Sequence, residues 1–300
     1  MTLPRPLTGT LTALYTPFLA DGTLDLDAWR ALCERLASAG SGLVPCGTTG
    51  ETPALTDGEY QTLVRVAVEV AAGRVPVIAG TGSSSTERTI ATTRAAAEVG
   101  ADAALVVTPP YNKPPQRSLL AHFRAVADQG GLPIVLYNVP SRTGCNMLPE
   151  TTLELARDPR FVAVKEAAGS VAQIEQLIYG APDGFTVLSG DDALTFPLVA
   201  LGGHGVISVA ANVAPEPMVA LVAALLAGDL GRARTLQRAL TPLFGALFAT
   251  TNPIPLKHAA ALLGHARATM RLPLTADAVD DALSKRIAAA LAHAREASAA

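Results

Sequence analysis

The sequence predicts an α/β fold: a (β/α)8 TIM barrel over residues 1–228, followed by a C-terminal helical region over 229–300. Three observations carry this. Short β-rich runs recur eight times, roughly every twenty to thirty residues. Most of these runs are apolar throughout rather than alternating, as strands covered on both faces of a parallel sheet must be. Helical patterns with start and stop signals lie between them. The eight runs are 11–15, 42–45, 75–79, 104–107, 134–137, 162–165, 186–188 and 206–209. Thr56-Asp-Gly-Glu59 and Ser84-Ser-Thr-Glu87 fit the capping-box pattern at helix starts, and Gly40, Gly73 and Gly100 follow helices as terminating glycines. After Gly228 the strands stop and helical patterns continue; Asn252-Pro-Ile-Pro255 punctuates them, and the Ala-rich tail is expected to fray after about His293.

A doubly wound open sheet is the alternative. It would carry a glycine-rich dinucleotide turn after an early strand, but Gly80-Thr-Gly82 lacks the third glycine and no P-loop pattern occurs. Gly202-Gly-His-Gly205 precedes its strand and belongs to a turn at the bottom of the barrel.

Composition narrows the function classes. Charged residues make up 16% of the chain, against about 25% in typical globular domains, which indicates a large core and subunit contacts. The net charge of −3, with no basic run, argues against nucleic acid. Three dispersed cysteines without a CxxC pair read as reduced thiols of a cytoplasmic protein. The five histidines show no metal-ligand spacing, so no metal is expected. Residues 1–6 lack the pattern of a secretory signal. Segment 193–215 has no formal charge, yet Pro197, Gly202, Gly203 and Gly205 break it up; it reads as a buried helix, a turn and a strand rather than a membrane span.

Barrels of this class carry their chemistry at the C-terminal ends of the strands. There the sequence places Gly47-Thr48-Thr49-Gly50-Glu51, Thr108-Pro-Pro-Tyr111-Asn112, Tyr137-Asn138 with Arg142 close behind, Lys165-Glu166, and Ser189-Gly190-Asp191-Asp192. Each has an ordinary structural explanation alone: a tyrosine as an amphipathic strand end, threonines as helix caps, an arginine in a surface turn. A lysine ending a buried strand often snorkels or pairs with a carboxylate. Burial also disfavours an ammonium relative to the neutral amine, which prepares such a group for Schiff-base chemistry. Two tyrosines, two threonines, an arginine and a lysine on one mouth favour the chemical reading.

GTTGE at 47–51, YNVPSRTG at 137–144, VKEAAG at 164–169, LSGDD at 188–192, GGHGVISVAANV at 202–213 and NPIPLK at 252–257 together resemble the pyruvate-dependent aldolase family that includes dihydrodipicolinate synthase and N-acetylneuraminate lyase. The resemblance covers nearly the whole chain. It implies that Lys165 forms an imine with pyruvate, and that Thr49 and the amides of its turn hold the pyruvate carboxylate. Tyr137, Thr48 and Tyr111 would relay protons, with Tyr111 reaching in from an adjacent subunit. Arg142 would receive the carboxylate of L-aspartate 4-semialdehyde, and the backbone around Gly190 and Ile207 would shape the pocket floor. A guanidinium fork suits a carboxylate better than a neutral polyol, which points to the synthase branch. No cofactor is implied, because the imine itself is the electron sink. A homotetramer built as a dimer of dimers is implied as well.

Other aldolases and lyases of the family, acting on sialic acid, sugar acids or hydroxy-oxoglutarate, would share Lys165 and Tyr137. A catalytically silent pyruvate-binding barrel is the alternative from another class. Some members of the family are inhibited by lysine bound at the tight dimer interface. At the matching positions this chain has Asp57, Tyr60, Ser84, Arg88 and Pro110 instead of the side chains expected of sensitive enzymes. Arg88 puts a cation where a carboxylate would meet lysine's ammonium, so weak inhibition by lysine is expected.

Overall fold

The computed structural model describes residues 7–299; the amino-terminal stretch read for a secretory signal lies outside them. Eight strands form one parallel sheet: β1 (Gly9–Ala13), β2 (Gly42–Val44), β3 (Ile78–Gly80), β4 (Ala103–Val107), β5 (Ile134–Asn138), β6 (Phe161–Glu166), β7 (Thr186–Ser189) and β8 (Gly205–Ser208). Their order is 2-1-8-7-6-5-4-3, and all neighbouring pairs run parallel. The two ends of that order meet. Leu43 N donates to Pro76 O at 2.9 Å and Gly80 N to Pro45 O at 2.9 Å, bringing β2 against β3 and closing the barrel.

Helices cover the outside: α1 (Leu26–Ser38), α2 (Asp57–Ala71), α3 (Thr86–Glu98), α4 (Gln116–Gln129), the short α5 (Pro140–Thr143), α6 (Pro149–Ala156), α7 (Val171–Gly180), α8 (Thr195–Ala200) and α9 (Pro215–Leu226). Three more, α10 (Leu230–Leu247), α11 (Ile254–Leu262) and α12 (Asp281–Ala299), follow the eighth strand unit. The (β/α)8 barrel with its appended helices is therefore present.

Strand periodicity sorts side chains into two cores. Leu11, Val44, Ile78, Leu105, Val135, Tyr137, Ala163, Leu188 and Ile207 fill the lumen. Leu43, Val106, Leu136, Val164, Val187 and Val206 face outward into the layer shared with the helices. The same alternation turns Lys165 inward beside Tyr137 and Glu166 outward. At the bottom of the barrel β8 and β1 come so close that a Cβ on Gly205 (φ +149°) would lie 2.0 Å from Gly9 O, so only glycine fits.

Every expected strand is found, with shifted ends. The third begins at Ile78 rather than 75, because Pro76 has no N–H for a ladder. The Thr56–Glu59 capping box forms on α2, and Gly40, Gly73 and Gly100 all have positive φ. The second expected box does not form. Ser85, not Ser84, caps α3 and accepts from Arg88 N at 3.3 Å, which leaves no carboxylate at the reciprocal position. Nor does the last helix end near His293. It continues to Ala299, and Ile287, Ala290, Leu291 and Ala294 are buried, on a helix that packs against α10. Segment 193–215 folds as expected, and among the described residues no helix is long and apolar enough to cross a membrane.

Candidate active site

Two buried lysines have opposite surroundings. Lys165 ends the inward face of β6 and is 5% exposed. Its neighbour in register on β5 is Tyr137, and its Nζ lies 4.3 Å from the centre of that ring. Among the described residues it has no carboxylate within 4 Å. Lys257 on α11 is fully buried and lies 2.6 Å from Glu51 Oε1. Burial pushes its ammonium down to about 8, while the Glu51 charge and hydrogen bond hold it up. Phe18 lies beneath it, 4.3 Å away, and Arg271 stacks over the same ring at 4.5 Å. Lys257 is the paired, structural lysine. Lys165 has a π-face where a structural lysine would have an acid.

Glu166, one residue on, does not approach that amine. Strand alternation sends it outward, where it accepts from Asn138 Nδ2, Gln173 Nε2 and Ala168 N. Burial raises its pKa against those hydrogen bonds.

Gly190 follows β7 and donates its N–H to Glu166 O at 2.7 Å. A Cβ there would meet Ala167 Cβ at 2.6 Å and Lys165 Cγ at 3.1 Å, so the glycine lets the β7 loop lie against the lysine stem. Ile207 is fully buried on β8. The strand's exit is held by Asp192, whose Oδ2 accepts from Val209 N at 3.1 Å and Ala210 N at 2.9 Å. Burial pushes that carboxyl up to about 6, opposed by these bonds.

The Gly47–Glu51 stretch forms a tight 3-10 turn over Thr48–Gly50, entered and left by residues with positive φ, Cys46 (56°) and Glu51 (54°). Thr16 Oγ1 donates to Gly50 O at 2.7 Å and Thr52 Oγ1 to Gly47 O at 2.9 Å, fixing the turn from both sides. Thr49 is buried and Thr48 is half-buried.

A cleft of about 620 Å³ opens at this end of the barrel, with Thr48, Tyr137 and Arg142 on its wall. Lys165, Thr49, Gly190 and Ile207 are not on that wall; Lys165 abuts it through the Tyr137 ring. Arg142 is exposed on α5, and its guanidinium donates to Asn252 O at 3.3 Å. Asp57, Tyr60, Ser84, Arg88 and Pro110 line the same cleft. Arg88 reaches Asp57 at 3.4 Å across an exposed surface, a pair of little energetic weight.

Tyr111 is not brought to this cleft. It is 90% exposed with φ 74°, a conformation rare for a bulky residue. The backbone holds it out, with Tyr111 N donating to Thr143 O at 3.3 Å.

Sequence reasoning passed over Asn252, Lys257 and Arg271 as parts of the mouth. Arg271 N donates to Glu51 Oε2 at 3.1 Å, and its guanidinium donates to Gly22 O at 2.8 Å and to the Glu59 carboxylate. The available signal was a lysine inside the apolar start of a helix, Pro255-Leu-Lys257.

The sequence profile of the dihydrodipicolinate synthetase family matches residues 6–293. The chain belongs to the dihydrodipicolinate synthetase family. A relative from Thermomicrobium roseum named 4-hydroxy-tetrahydrodipicolinate synthase is 52% identical over 287 residues, covering 95% of this chain and 94% of the relative. Among solved structures, dihydrodipicolinate synthase from Aquifex aeolicus is 43% identical with a TM-score of 0.92, covering 95% of this chain and 97% of that one. A chloride-inhibited dihydrodipicolinate synthase from Acinetobacter baumannii, complexed with pyruvate, is 39% identical with a TM-score of 0.93, covering 96% and 99%. Membership in the dihydrodipicolinate synthetase family agrees with the barrel and with the ordered polar strand ends.

Proposed function

We propose that this chain is a lyase that condenses pyruvate with L-aspartate 4-semialdehyde to 4-hydroxy-tetrahydrodipicolinate, the entry to lysine and diaminopimelate biosynthesis. The observation that carries this reading is the buried Lys165 amine, without an acid partner among the described residues, lying against the Tyr137 ring at the barrel mouth. The names of the relatives at about half identity support the acceptor. The catalytic machinery belongs to the barrel over 1–228, and the helical region over 229–300 braces its mouth.

The Lys165 amine attacks the pyruvate ketone, and loss of water gives the imine. The imine withdraws electrons from the methyl carbon, a proton leaves, and an enamine forms. Tyr137 and Thr48 move that proton, since hydroxyls both donate and accept. Thr49 and the amides of its turn hold the pyruvate carboxylate. Arg142 binds the carboxylate of the semialdehyde, and the enamine carbon attacks the aldehyde carbon. The semialdehyde's amine then adds to the imine carbon, closing the ring and releasing Lys165. Gly190 and Ile207 shape the floor on which this occurs. No cofactor takes part. The protein works in the cytoplasm, which its three free, buried cysteines suit.

Tyr111 completes the relay from a neighbouring subunit, so the active unit is at least a dimer and is assembled as a dimer of dimers. Its exposure and its strained backbone support this. Tyr111→Ala is expected to lower kcat by about 10²-fold. Mixing it with an inactive Lys165→Ala protein should restore part of the activity, because hybrid dimers hold one complete site. If mixing restores nothing while subunits exchange, Tyr111 does not serve across the interface.

Free lysine is expected to inhibit poorly, because Arg88 lines the cleft with a cation where lysine's ammonium would need a carboxylate. Half-inhibition below millimolar lysine in a steady-state assay would contradict this. The acceptor is tested by supplying pyruvate with either L-aspartate 4-semialdehyde or N-acetylmannosamine; turnover is expected with the semialdehyde alone. Turnover with the amino sugar instead would assign the chain to the sialic-acid branch of the chemistry.

A further inference from the structure

We propose that Asn252 is a positioning residue of this site: its amide fixes which way the Thr49 hydroxyl points its proton. The inference rests on the proposed role of Thr49 toward pyruvate.

Asn252 lies just before α11 in a stretch that the roles assigned above leave unused. Its side chain is buried, and Nδ2 donates to Thr49 Oγ1 at 2.9 Å. A threonine hydroxyl has one proton and two lone pairs. With an amide N–H already on one lone pair, the Thr49 proton is free to be donated, which is what a carboxylate ligand requires. Were the bond reversed, Thr49 would donate to the amide and turn a lone pair toward the ligand's negative charge. The same residue's carbonyl accepts from Arg142 at 3.3 Å. One residue therefore sits between the hydroxyl assigned to the pyruvate carboxylate and the guanidinium assigned to the acceptor carboxylate.

The arrangement is anchored twice. Two residues beyond Thr49, Glu51 pairs with Lys257, five residues beyond Asn252, at 2.6 Å. Lys257 N in turn donates to Pro253 O at 2.9 Å, tying the start of α11 to the residue beside Asn252. The turn and the helix start are thus held in fixed register. Among the described residues Asn252 Oδ1 is buried and has no partner, so the amide is placed there by its N–H.

The test uses Asn252→Asp, which keeps the shape and replaces the donor with an acceptor, and Asn252→Ala, which removes both. Each is made in the wild type and in a Thr49→Val background. The readout is the pyruvate concentration that half-saturates imine formation, measured by borohydride trapping and mass spectrometry without any acceptor. Asn252→Asp is expected to raise it by about 30-fold or more and Asn252→Ala by about 5-fold, with kcat at saturating pyruvate changed less. In the Thr49→Val background both effects should shrink to within about twofold. If Asn252→Asp binds pyruvate as well as the wild type, or if its defect persists undiminished without the Thr49 hydroxyl, the proposal is wrong. The isosteric Asp variant carries the test if the Ala variant does not fold. Failure of the wild type to trap pyruvate on Lys165 would overturn the proposed function instead, which separates the two.

Discussion

Lys165→Ala is expected to lower kcat for condensation by about 10⁴-fold or more, the scale on which an essential nucleophile is lost. The loss should be in chemistry rather than in folding. Lys165 makes no ion pair among the described residues, so its removal leaves no buried charge behind. Circular dichroism and thermal melting should match the wild type within about 1 kcal/mol, in line with a buried stem traded against the cost of a buried amine. Lys165→Arg should be equally inactive, because a guanidinium keeps its proton and cannot form an imine. A variant that folds normally and retains more than about a tenth of wild-type kcat would remove Lys165 from the mechanism.

The opposite result is expected at Lys257. Replacing it with methionine leaves the Glu51 carboxylate buried without its cation, and losing one member of a buried pair typically costs about 3–5 kcal/mol. Glu51 still accepts from Arg271 N at 3.1 Å, which limits the loss to the lower part of that range. Stability should recover substantially in the double variant Lys257→Met with Glu51→Gln, since no uncompensated charge remains. Denaturant unfolding of the two single variants and the double variant completes the cycle and reads the coupling directly. Activity of the single variant is expected to fall as well, because the pair fixes the turn that carries Thr48 and Thr49. Equal stability of Lys257→Met and wild type would mean that the pair contributes nothing to the mouth.

Much of this was legible in the chain. Apolar runs without alternation marked strands covered on both faces, and the lumen and outer layer now explain why. Lys165 and Tyr137 could be placed at strand ends from sequence, and the register of β5 against β6 puts them side by side. Individual ends moved where a local rule was stronger than the pattern: Pro76 delays β3, and Ser85 takes the cap expected at Ser84. The exit of β8 at Asp192 and the bracing by Asn252, Lys257 and Arg271 were not legible. The contacts of Asn252, Lys257 and Arg271 with the Thr49–Glu51 stretch join segments more than two hundred residues apart, as with Asn252 and Thr49, and even Asp192 reaches 17 residues on to Val209. No periodicity or local spacing encodes a pairing of that kind. Only the closed barrel, with α11 returned over its mouth, brings them together.

The position of Tyr111 shows the same limit from the other side. Sequence places it after a strand, and a single chain leaves it exposed and off the wall of its own cleft. The role proposed for it depends on a neighbouring subunit, which the mixing experiment addresses.

The most direct measurement is borohydride reduction of the protein with pyruvate, followed by peptide mass analysis, with and without added L-aspartate 4-semialdehyde. A reduced pyruvate adduct on the Lys165 peptide is expected, and it should be depleted during turnover when the semialdehyde is present but not when N-acetylmannosamine is. An adduct on Lys257 or another lysine, or none at all, would contradict the assignment of Lys165 as the Schiff-base residue of this barrel.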